Sequence, residues 1–202
     1  MSTTKIRNVH ERRIAADPEL VWDLLMTMSG PNDRLWPPGM PTMRFDGPLA
    51  VGSHGRHGPI HYQVTSLDPT AGDVVFGFRE PTGLVGHHSF HVRPHGNAGA
   101  VLRHEVVADP EGWMRLKWPL IVRWVHDAVV EEILDRAEVA TGTLPAQPHQ
   151  RSPWVRCLLT LGAKRPRTFR RPRHPWPSRD FVAREGHAPE SHPRTHYPAP
   201  KA

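Results

Sequence analysis

The chain has 202 residues, a formal net charge of +6, 23 prolines and one cysteine. Its length allows one domain with a hydrophobic core plus a tail, whereas a lone Cys157 excludes an internal disulfide framework and a cysteine-based zinc cluster. Because no stretch approaches the roughly 18–20 apolar residues of a membrane span and the N-terminus lacks the apolar core of a signal peptide, we expect a soluble, cytoplasmic protein.

The positive charge is concentrated in the last third of the sequence. Residues 1–142 carry 14 Lys and Arg against 17 Asp and Glu, whereas residues 143–202 carry 12 against 3 and hold 11 of the 23 prolines. A segment of this composition buries too little apolar surface to offset its ordering entropy. We therefore predict a folded domain over residues 1–142 and a largely disordered basic tail over residues 143–202.

The first elements are an extended segment and a helix. The stretch "IRNVHERRIAADPELVWDLLMTMSG" begins β-branched and then changes to helical spacing. Asp17 can cap this helix, Pro18 suits its first turn, and Gly30 with Pro31 ends it. Its apolar stripe comprises Leu20, Val21, Leu24, Leu25 and Met28.

Strand-like segments fill the middle of the chain. Gly, Pro, Asp and Asn stand at the short connections between these segments, which is typical of tight turns. Short connections of this kind indicate an antiparallel meander. We place the strands near residues 43–47, 51–57, 60–68, 73–80, 86–93 and 99–108.

A long amphipathic helix is predicted from Pro119 to Gly142. One strand, a helix, a run of antiparallel strands and a final long helix form an α+β pattern, in which the helix covers one face of the sheet. A strongly curved sheet around that helix would leave a cavity. The apolar face of the helix comprises Val122, Val125, Val129, Ile133 and Ala137.

This order of elements, with the phrases "ERRIAADPELVWDLL", "LRHEVV" and "WPLIVRWVHDAVVEEILDRAE", resembles the START-like SRPBCC superfamily, which includes polyketide cyclases and dehydrases, over roughly residues 5–142. The resemblance implies a helix-grip fold: a curved antiparallel sheet of about seven strands wrapped around a long C-terminal helix. It also implies an apolar cavity that binds a small hydrophobic, lipid- or polyketide-like molecule. A fold alone does not establish a reaction, so enzymatic activity stays open.

Strand parity selects the side chains that would face this cavity. Successive side chains on a strand point to opposite faces, so His88 lies on the face of Phe90, whereas His87 and His91 lie on the other. The predicted ligand-binding residues from the strands and the final helix are Tyr62, Val64, Phe76, Phe78, His88, Phe90, Leu102, His104, Val122, Val125, His126 and Val129.

Tyr62, His88 and His104 are the polar members of the strand lining, and they have two interpretations. Buried neutral histidines are usually hydrogen-bonded core residues. An imidazole in an apolar cavity also stays neutral at pH 7 and can exchange a proton with a phenol or enol. These three residues are therefore the catalytic candidates of an alternative function, a cyclase- or dehydrase-type enzyme.

The other histidines predict neither a metal site nor a cofactor. His87 and His91 are four residues apart on a strand, roughly 13 Å, which is too far to chelate one ion. Phosphate-binding loops are not evident. His126 and Asp127 are adjacent on a helix and point about 100° apart. We therefore expect His126 to approach the cavity and Asp127 to face solvent or a loop.

The tail suggests a third function, in which it binds nucleic acid or an anionic membrane through phosphate contacts. Arginine outnumbers lysine 22 to 4 in the whole chain, which a GC-rich coding sequence also produces, and we favour that interpretation. Before the tail's basic run, "PWVRCLLTLGAK" predicts one or two helical turns, either on the domain or on a membrane surface, and for this length we favour packing on the domain. The tail's clustered arginines are Arg165, Arg167, Arg170, Arg171 and Arg173.

Overall fold

The computed structural model describes residues 5–163, which form a curved seven-stranded sheet with helices packed against it. The strand order is β1-β7-β6-β5-β4-β3-β2, and every neighbouring pair is antiparallel, as the short connections predict. The strands are β1 (Ile6–Ile14), β2 (Met43–Phe45), β3 (His54–His57), β4 (Ile60–Asp68), β5 (Asp73–Arg79), β6 (Leu84–His95) and β7 (Gly99–Pro110).

The helices in the described part of the chain are α1 (Pro18–Met26), α2 (Met114–Lys117), α3 (Arg123–Ala140) and α4 (Pro153–Ala163), with a π-helical turn at Trp118–Val122. Asp17 caps α1 as predicted, because its side chain accepts a hydrogen bond from the Glu19 amide at 2.9 Å. None of the helices within residues 5–163 has the length and hydropathy that a membrane crossing requires.

The final helix begins earlier than Pro119 and is interrupted. Residues from Met114 onward are already helical, and the π-helical turn separates α2 from α3. Pro119 has no amide hydrogen to donate to the preceding turn. At the end of the π-helical turn, the Arg123 amide donates five residues back, to the Trp118 carbonyl. At the other end, Gly142 has a positive φ of 91°, which ends α3 in the way the sequence predicts.

The core lies between one face of the sheet and the helices α1 and α3. Burial alternates along β7 and through most of β4, so one face of each strand is apolar and covered. From α3, the buried residues include Val129, Ile133 and Ala137, which the sequence places on one face. The predicted α+β helix-grip architecture is thereby confirmed.

The predicted domain boundary at residue 142 is wrong for residues 143–163. Arg151 forms an ion pair with Glu132 on α3, the His149 amide donates to Asp135 at 2.6 Å, and Val155 on α4 is buried. The packing of "PWVRCLLTLGA" on its own domain is therefore confirmed, and it forms nearly three turns of helix. The clustered arginines of the predicted tail lie outside the described residues.

Candidate functional site

Five histidines from five different elements lie side by side, and they are termed the histidine row. His88 and His104 are buried, and the other three are partly buried. Successive ring centroids along the row are 6.4, 5.6, 5.0 and 6.1 Å apart. The curvature of the sheet brings β3 close to β6, although two strands separate them in the sheet order. In order, the row comprises His57, His88, His104, His126 and His10.

The centre of the row is set by strand register. His104 on β7 is the direct cross-strand partner of Phe90 on β6, which makes His88 its diagonal neighbour on the same face. His88 Nδ1 lies 3.4 Å from His104 Nε2, and the two residues are 6% and 3% exposed. The sequence correctly predicts that these two histidines share a buried face.

Tyr62 joins the row through His57. Its hydroxyl lies 3.3 Å from His57 Nδ1, and its ring stands edge-on to His88 at 5.0 Å between centroids. Gly55 on β3 is the cross-strand partner of Tyr62, and a Cβ at this position would collide with the rings of Tyr62 and Phe45. The glycine therefore lets the Tyr62 ring lie across β3, within reach of the histidines.

Phenylalanines enclose the two central imidazoles. Phe76 stacks on His88 at 4.7 Å and 15°, and Phe78 stacks on the same ring at 5.3 Å and 27°. Phe90 meets His104 edge-on at 4.6 Å. The predicted lining residues from the strands thus surround both histidines with aromatic carbon.

The row ends at a polar cluster between β1 and α3. One oxygen of Asp127, Oδ1, accepts a hydrogen bond from Asn8 Nδ2 at 2.9 Å and lies 3.1 Å from His10 Nε2 and 3.5 Å from His126 Nδ1. The expectation that Asp127 faces solvent or a loop is wrong. Two adjacent helical side chains about 100° apart can both reach a third side chain that lies between them, and His10 occupies that position.

An acidic stripe on α3 aligns the helix with β1, the edge strand. Arg12 donates to Asp135 at 2.9 Å and to Glu138 at 2.6 Å, and its second terminal nitrogen donates to Glu131 at 2.9 Å. His10 Nδ1 lies 2.7 Å from the other oxygen of Glu131. The stripe comprises Asp127, Glu131, Asp135 and Glu138.

Asn8, His10 and Arg12 are not among the predicted site residues, although the sequence carries a signal for them. These three polar residues alternate along β1, and the acidic residues recur mostly every four positions along α3. Two such complementary stripes predict a contact between strand and helix. The contact brings His10 to His126 and completes the row.

The central imidazoles are neutral at pH 7. Burial, assisted by neighbouring histidines, lowers the pKa of His88 and His104 well below the usual histidine range. Burial also lowers the pKa of His126, outweighing the opposite effect of Asp127. The pKa of Tyr62 is raised by burial, so its hydroxyl keeps its proton.

In the polar cluster, the pKa values of His10 and Asp127 shift toward the charged forms. Burial acts to lower the pKa of His10, but its contacts with Asp127 and Glu131 outweigh burial and raise it. Burial acts to raise the pKa of Asp127, and hydrogen bonds from His10, His126 and Asn8 outweigh it and lower that pKa. The row therefore runs from His10, whose pKa two carboxylates raise, to neutral imidazoles in an apolar interior.

Three ring nitrogens of the row have no hydrogen-bond partner among the described residues: His88 Nε2, His104 Nδ1 and His126 Nε2. Each is buried, and no water-sized open space adjoins it. A buried polar atom without a partner costs about 1–3 kcal/mol, so most buried polar groups in folded proteins are paired. Three such atoms in one row indicate a site suited to a polar partner.

Two hollows of the described region are lined by no histidine of the row, so neither is the predicted apolar cavity between the sheet and the final helix. One, of about 280 Å³, lies beside residues 5–8, Trp118 and Arg123. Trp118 lines this hollow, and its ring also lies 5.9 Å from that of His126. The other hollow lies between the π-helical turn and the start of α4. The predicted helix residues Val122, Val125 and His126 are only partly buried.

The polar cluster also has the composition of a metal site. Ligand atoms of His10, His126 and Asp127 lie within 4.8 Å of one another, and two histidines with one carboxylate can hold a divalent transition metal. Hydrogen bonds already occupy the Asp127 oxygen that all three neighbours approach. Asp127 is thus already engaged with its neighbours, whereas His126 Nε2 and Asn8 Oδ1 have no hydrogen-bond partner among the described residues.

No protein-family model and no curated protein matches the chain. Among solved structures, it is similar to norcoclaurine synthase from Thalictrum flavum, with a TM-score of 0.55 and 16% identity over 69% of this chain and 87% of that one. It is also similar to a protein from Thermobifida fusca solved by solution NMR, with a TM-score of 0.53 and 16% identity over 72% of this chain and 99% of that one.

A further structure of norcoclaurine synthase, in complex with dopamine and hydroxybenzaldehyde, has a TM-score of 0.51 and 18% identity over 69% of this chain and 88% of that one. At these identities, the similarities show the fold alone. Together with the sheet topology, they define the described region as a helix-grip domain.

Proposed function

We propose that this helix-grip domain, as a member of the SRPBCC superfamily, binds a small, uncharged organic molecule at the histidine row. The observation that carries the proposal is the set of three buried, unpaired nitrogens on His88, His104 and His126. A ligand with hydroxyl or carbonyl groups would pair with them, and each pairing would recover part of the roughly 1–3 kcal/mol that an unpaired polar atom costs.

The chemistry of the row favours one class of ligand. A neutral imidazole offers one donor and one acceptor, which suits phenols, enols and ketones. A ligand with a carboxylate group would find no available cation at the row, because His10 is already paired with Asp127 and Glu131. Aromatic bodies suit the surrounding phenylalanines. We therefore narrow the hydrophobic, lipid- or polyketide-like ligand that the sequence predicts to a polyketide-like aromatic one.

We infer that a ligand reaches the row past Trp118. This residue lines the 280 Å³ hollow, which is at the small end of the size range of ligand pockets, and its ring lies 5.9 Å from that of His126. Trp118 begins the π-helical turn, and such turns are frequent at functional sites. The norcoclaurine synthase complex with dopamine and hydroxybenzaldehyde provides a precedent for aromatic molecules in a helix-grip protein.

A binding experiment with two probes tests the proposal. We expect 2-naphthol, an uncharged phenol, to raise the Tm of the full chain and palmitate, a charged lipid, to leave it unchanged. His104→Leu should weaken naphthol binding about tenfold, equivalent to one lost hydrogen bond in the interior. His95→Gln, an exposed histidine on β6, is the matched control. Binding that survives both His104→Leu and His88→Phe would contradict the proposal.

A second candidate function is acid–base catalysis of the cyclase or dehydrase type, and the His126–Asp127 pair favours it. Nδ1 of His126 faces Asp127, which leaves Nε2 unpaired and directed away from the carboxylate. A carboxylate that orients an imidazole in this way is the usual arrangement of a general base. Nε2 would take a proton from the carbon next to a ketone, and the C–H electron pair would form the enolate.

In this candidate mechanism, Tyr62, His88 and His104 would hydrogen-bond the enolate oxygen. The test is exchange of the α-protons of an aromatic ketone, such as 2-tetralone, in deuterated water, followed by NMR. We expect the full chain to accelerate exchange and His126→Gln to slow it about 100-fold or more, well beyond the roughly tenfold loss of naphthol affinity that one lost hydrogen bond explains. If the full chain accelerates no exchange and still binds naphthol, the function is binding alone.

A further inference from the structure

The helical segment around Trp118 presents an apolar surface to solvent. Trp113 is 75% exposed and Leu120 is 61% exposed, which is unusual for side chains of this size. Neighbouring residues on α2, the π-helical turn and the starts of α3 and α4 extend the same surface. This surface, termed the tryptophan patch, comprises Trp113, Leu116, Leu120, Ile121, Trp124 and Trp154.

Buried side chains anchor the tryptophan patch to the core. Met114 and Trp118 are only 8% and 9% exposed, so they anchor the segment in the core and turn the residues between them outward. Trp124 Nε1 donates to the Pro119 carbonyl at 3.0 Å, and Trp154 Nε1 donates to the Leu120 carbonyl at 3.1 Å. With their N–H groups satisfied, both indoles offer apolar ring surface, and they line one groove with Leu120.

The charged residues of the patch segment are mostly cationic. Residues 112–126 contain Arg115, Lys117 and Arg123 and no aspartate or glutamate. All three cationic residues are exposed. Arg123 is also ion-paired with Asp127 at 3.5 Å, so Arg115 and Lys117 supply most of the positive charge at the patch. Tryptophan and leucine combined with lysine and arginine are the composition of segments that lie in a membrane interface, where the rings enter the acyl boundary and the cations meet anionic headgroups.

We propose that the tryptophan patch docks this domain on the surface of an anionic lipid bilayer. Charge complementarity selects this partner. A second copy of the chain would bring a like-charged patch against the first, and residues 164–202, with 10 Lys and Arg against 3 Asp and Glu, carry the same sign of charge. The proposal concerns the outer surface of the segment and does not depend on a ligand at the histidine row.

Tryptophan fluorescence of the full chain tests the proposal. The background variant is Trp176→Phe, which removes the tryptophan that lies beyond residue 163. We expect binding to phosphatidylcholine vesicles that contain phosphatidylglycerol, and quenching of the remaining tryptophans by brominated acyl chains. Lys117→Gln should lower the partition coefficient about fivefold at low salt, equivalent to about 1 kcal/mol for one interfacial cation. Trp113→Ala with Leu116→Ala should lower it about tenfold or more and reduce quenching.

Two control variants lie outside the patch: Arg13→Gln on β1 removes an exposed cation, and Leu144→Ala removes an apolar side chain that is 83% exposed. Both should leave the partition coefficient within about twofold. Vesicle binding could instead occur without quenching and be unaffected by the Trp113 and Leu116 substitutions. That result would assign the binding to the basic remainder of the chain and overturn the proposal. Absence of binding would also overturn it, as would a dimer in light scattering that the same substitutions dissociate.

Discussion

The buried imidazoles make the free energy of unfolding of this domain depend on pH, and they make the domain less stable as the pH falls. The pKa of His88 and that of His104 lie well below the usual value in the folded protein, whereas an unfolded histidine titrates near pH 6.5. The unfolded chain therefore binds more protons than the folded one below pH 6.5, and the free energy of unfolding falls as the pH falls.

The magnitude follows from two residues that stay neutral in the folded state. Between pH 7 and pH 5, protonation of each unfolded imidazole lowers the free energy of unfolding by about 2 kcal/mol, so the pair contributes about 4 kcal/mol. That is a large share of the roughly 5–15 kcal/mol typical of a domain. His126 adds to the same trend. The raised pKa of His10 acts in the opposite direction: its contribution to stability is fully present below pH 6.5 and is lost as the pH rises through the folded pKa, so it offsets part of the loss between pH 7 and pH 5.

Urea unfolding followed by circular dichroism at several values between pH 7 and pH 5 measures this slope. The double variant His88→Phe and His104→Leu replaces both imidazoles with apolar groups, and its slope should fall by about two protons. The matched control, His95→Gln, removes an exposed histidine without touching the interior. If the double variant keeps the full pH dependence of the free energy of unfolding, or if His95→Gln loses as much of it, the buried imidazoles are not its cause.

Three other substitutions test how the fold supports the row. Arg12→Gln breaks the ion pairs with the acidic stripe and should cost about 2–3 kcal/mol in urea unfolding, less than a fully buried bridge because solvent reaches a quarter of the arginine; an unchanged midpoint would contradict the network. Gly55→Ala should lower the Tm through collision with the Tyr62 ring, at a cost of about 1–3 kcal/mol. Arg151→Ala removes the ion pair with Glu132 and should speed amide hydrogen exchange in α4 while β7 stays protected.

Local patterns predicted the parts of the fold that depend on local geometry. Turn residues at short spacing gave the antiparallel meander, and strand parity put His88 and His104 on one buried face, because each strand alternates whatever its neighbours are. Parity does not give distances between strands. The contact of His57 with Tyr62 and the approach of β3 to β6 depend on sheet curvature, which the sequence expresses only through positions such as Gly55.

Two errors have a common cause. The boundary at residue 142 came from averaging composition over a long window, in which the prolines and arginines beyond residue 163 outweighed the apolar residues of α4. The placement of Asp127 came from considering α3 by itself, without the polar side chains of β1. In both cases a residue was assigned from its own segment, although its partners lie far away in sequence: Asn8 and Asp127 are 119 residues apart.

The histidine row is costly for a core that serves only to fold. Phenylalanine or leucine at positions 88 and 104 would bury apolar carbon without desolvating ring nitrogens, and replacing both partners of a buried polar pair with apolar groups is often neutral or stabilising. Where a core retains costly polar atoms, the compensation is usually a function that needs them. The double variant separates the two interpretations: stability that rises at pH 7 while naphthol binding is lost assigns the row to ligand binding, whereas a loss of stability assigns it to the core.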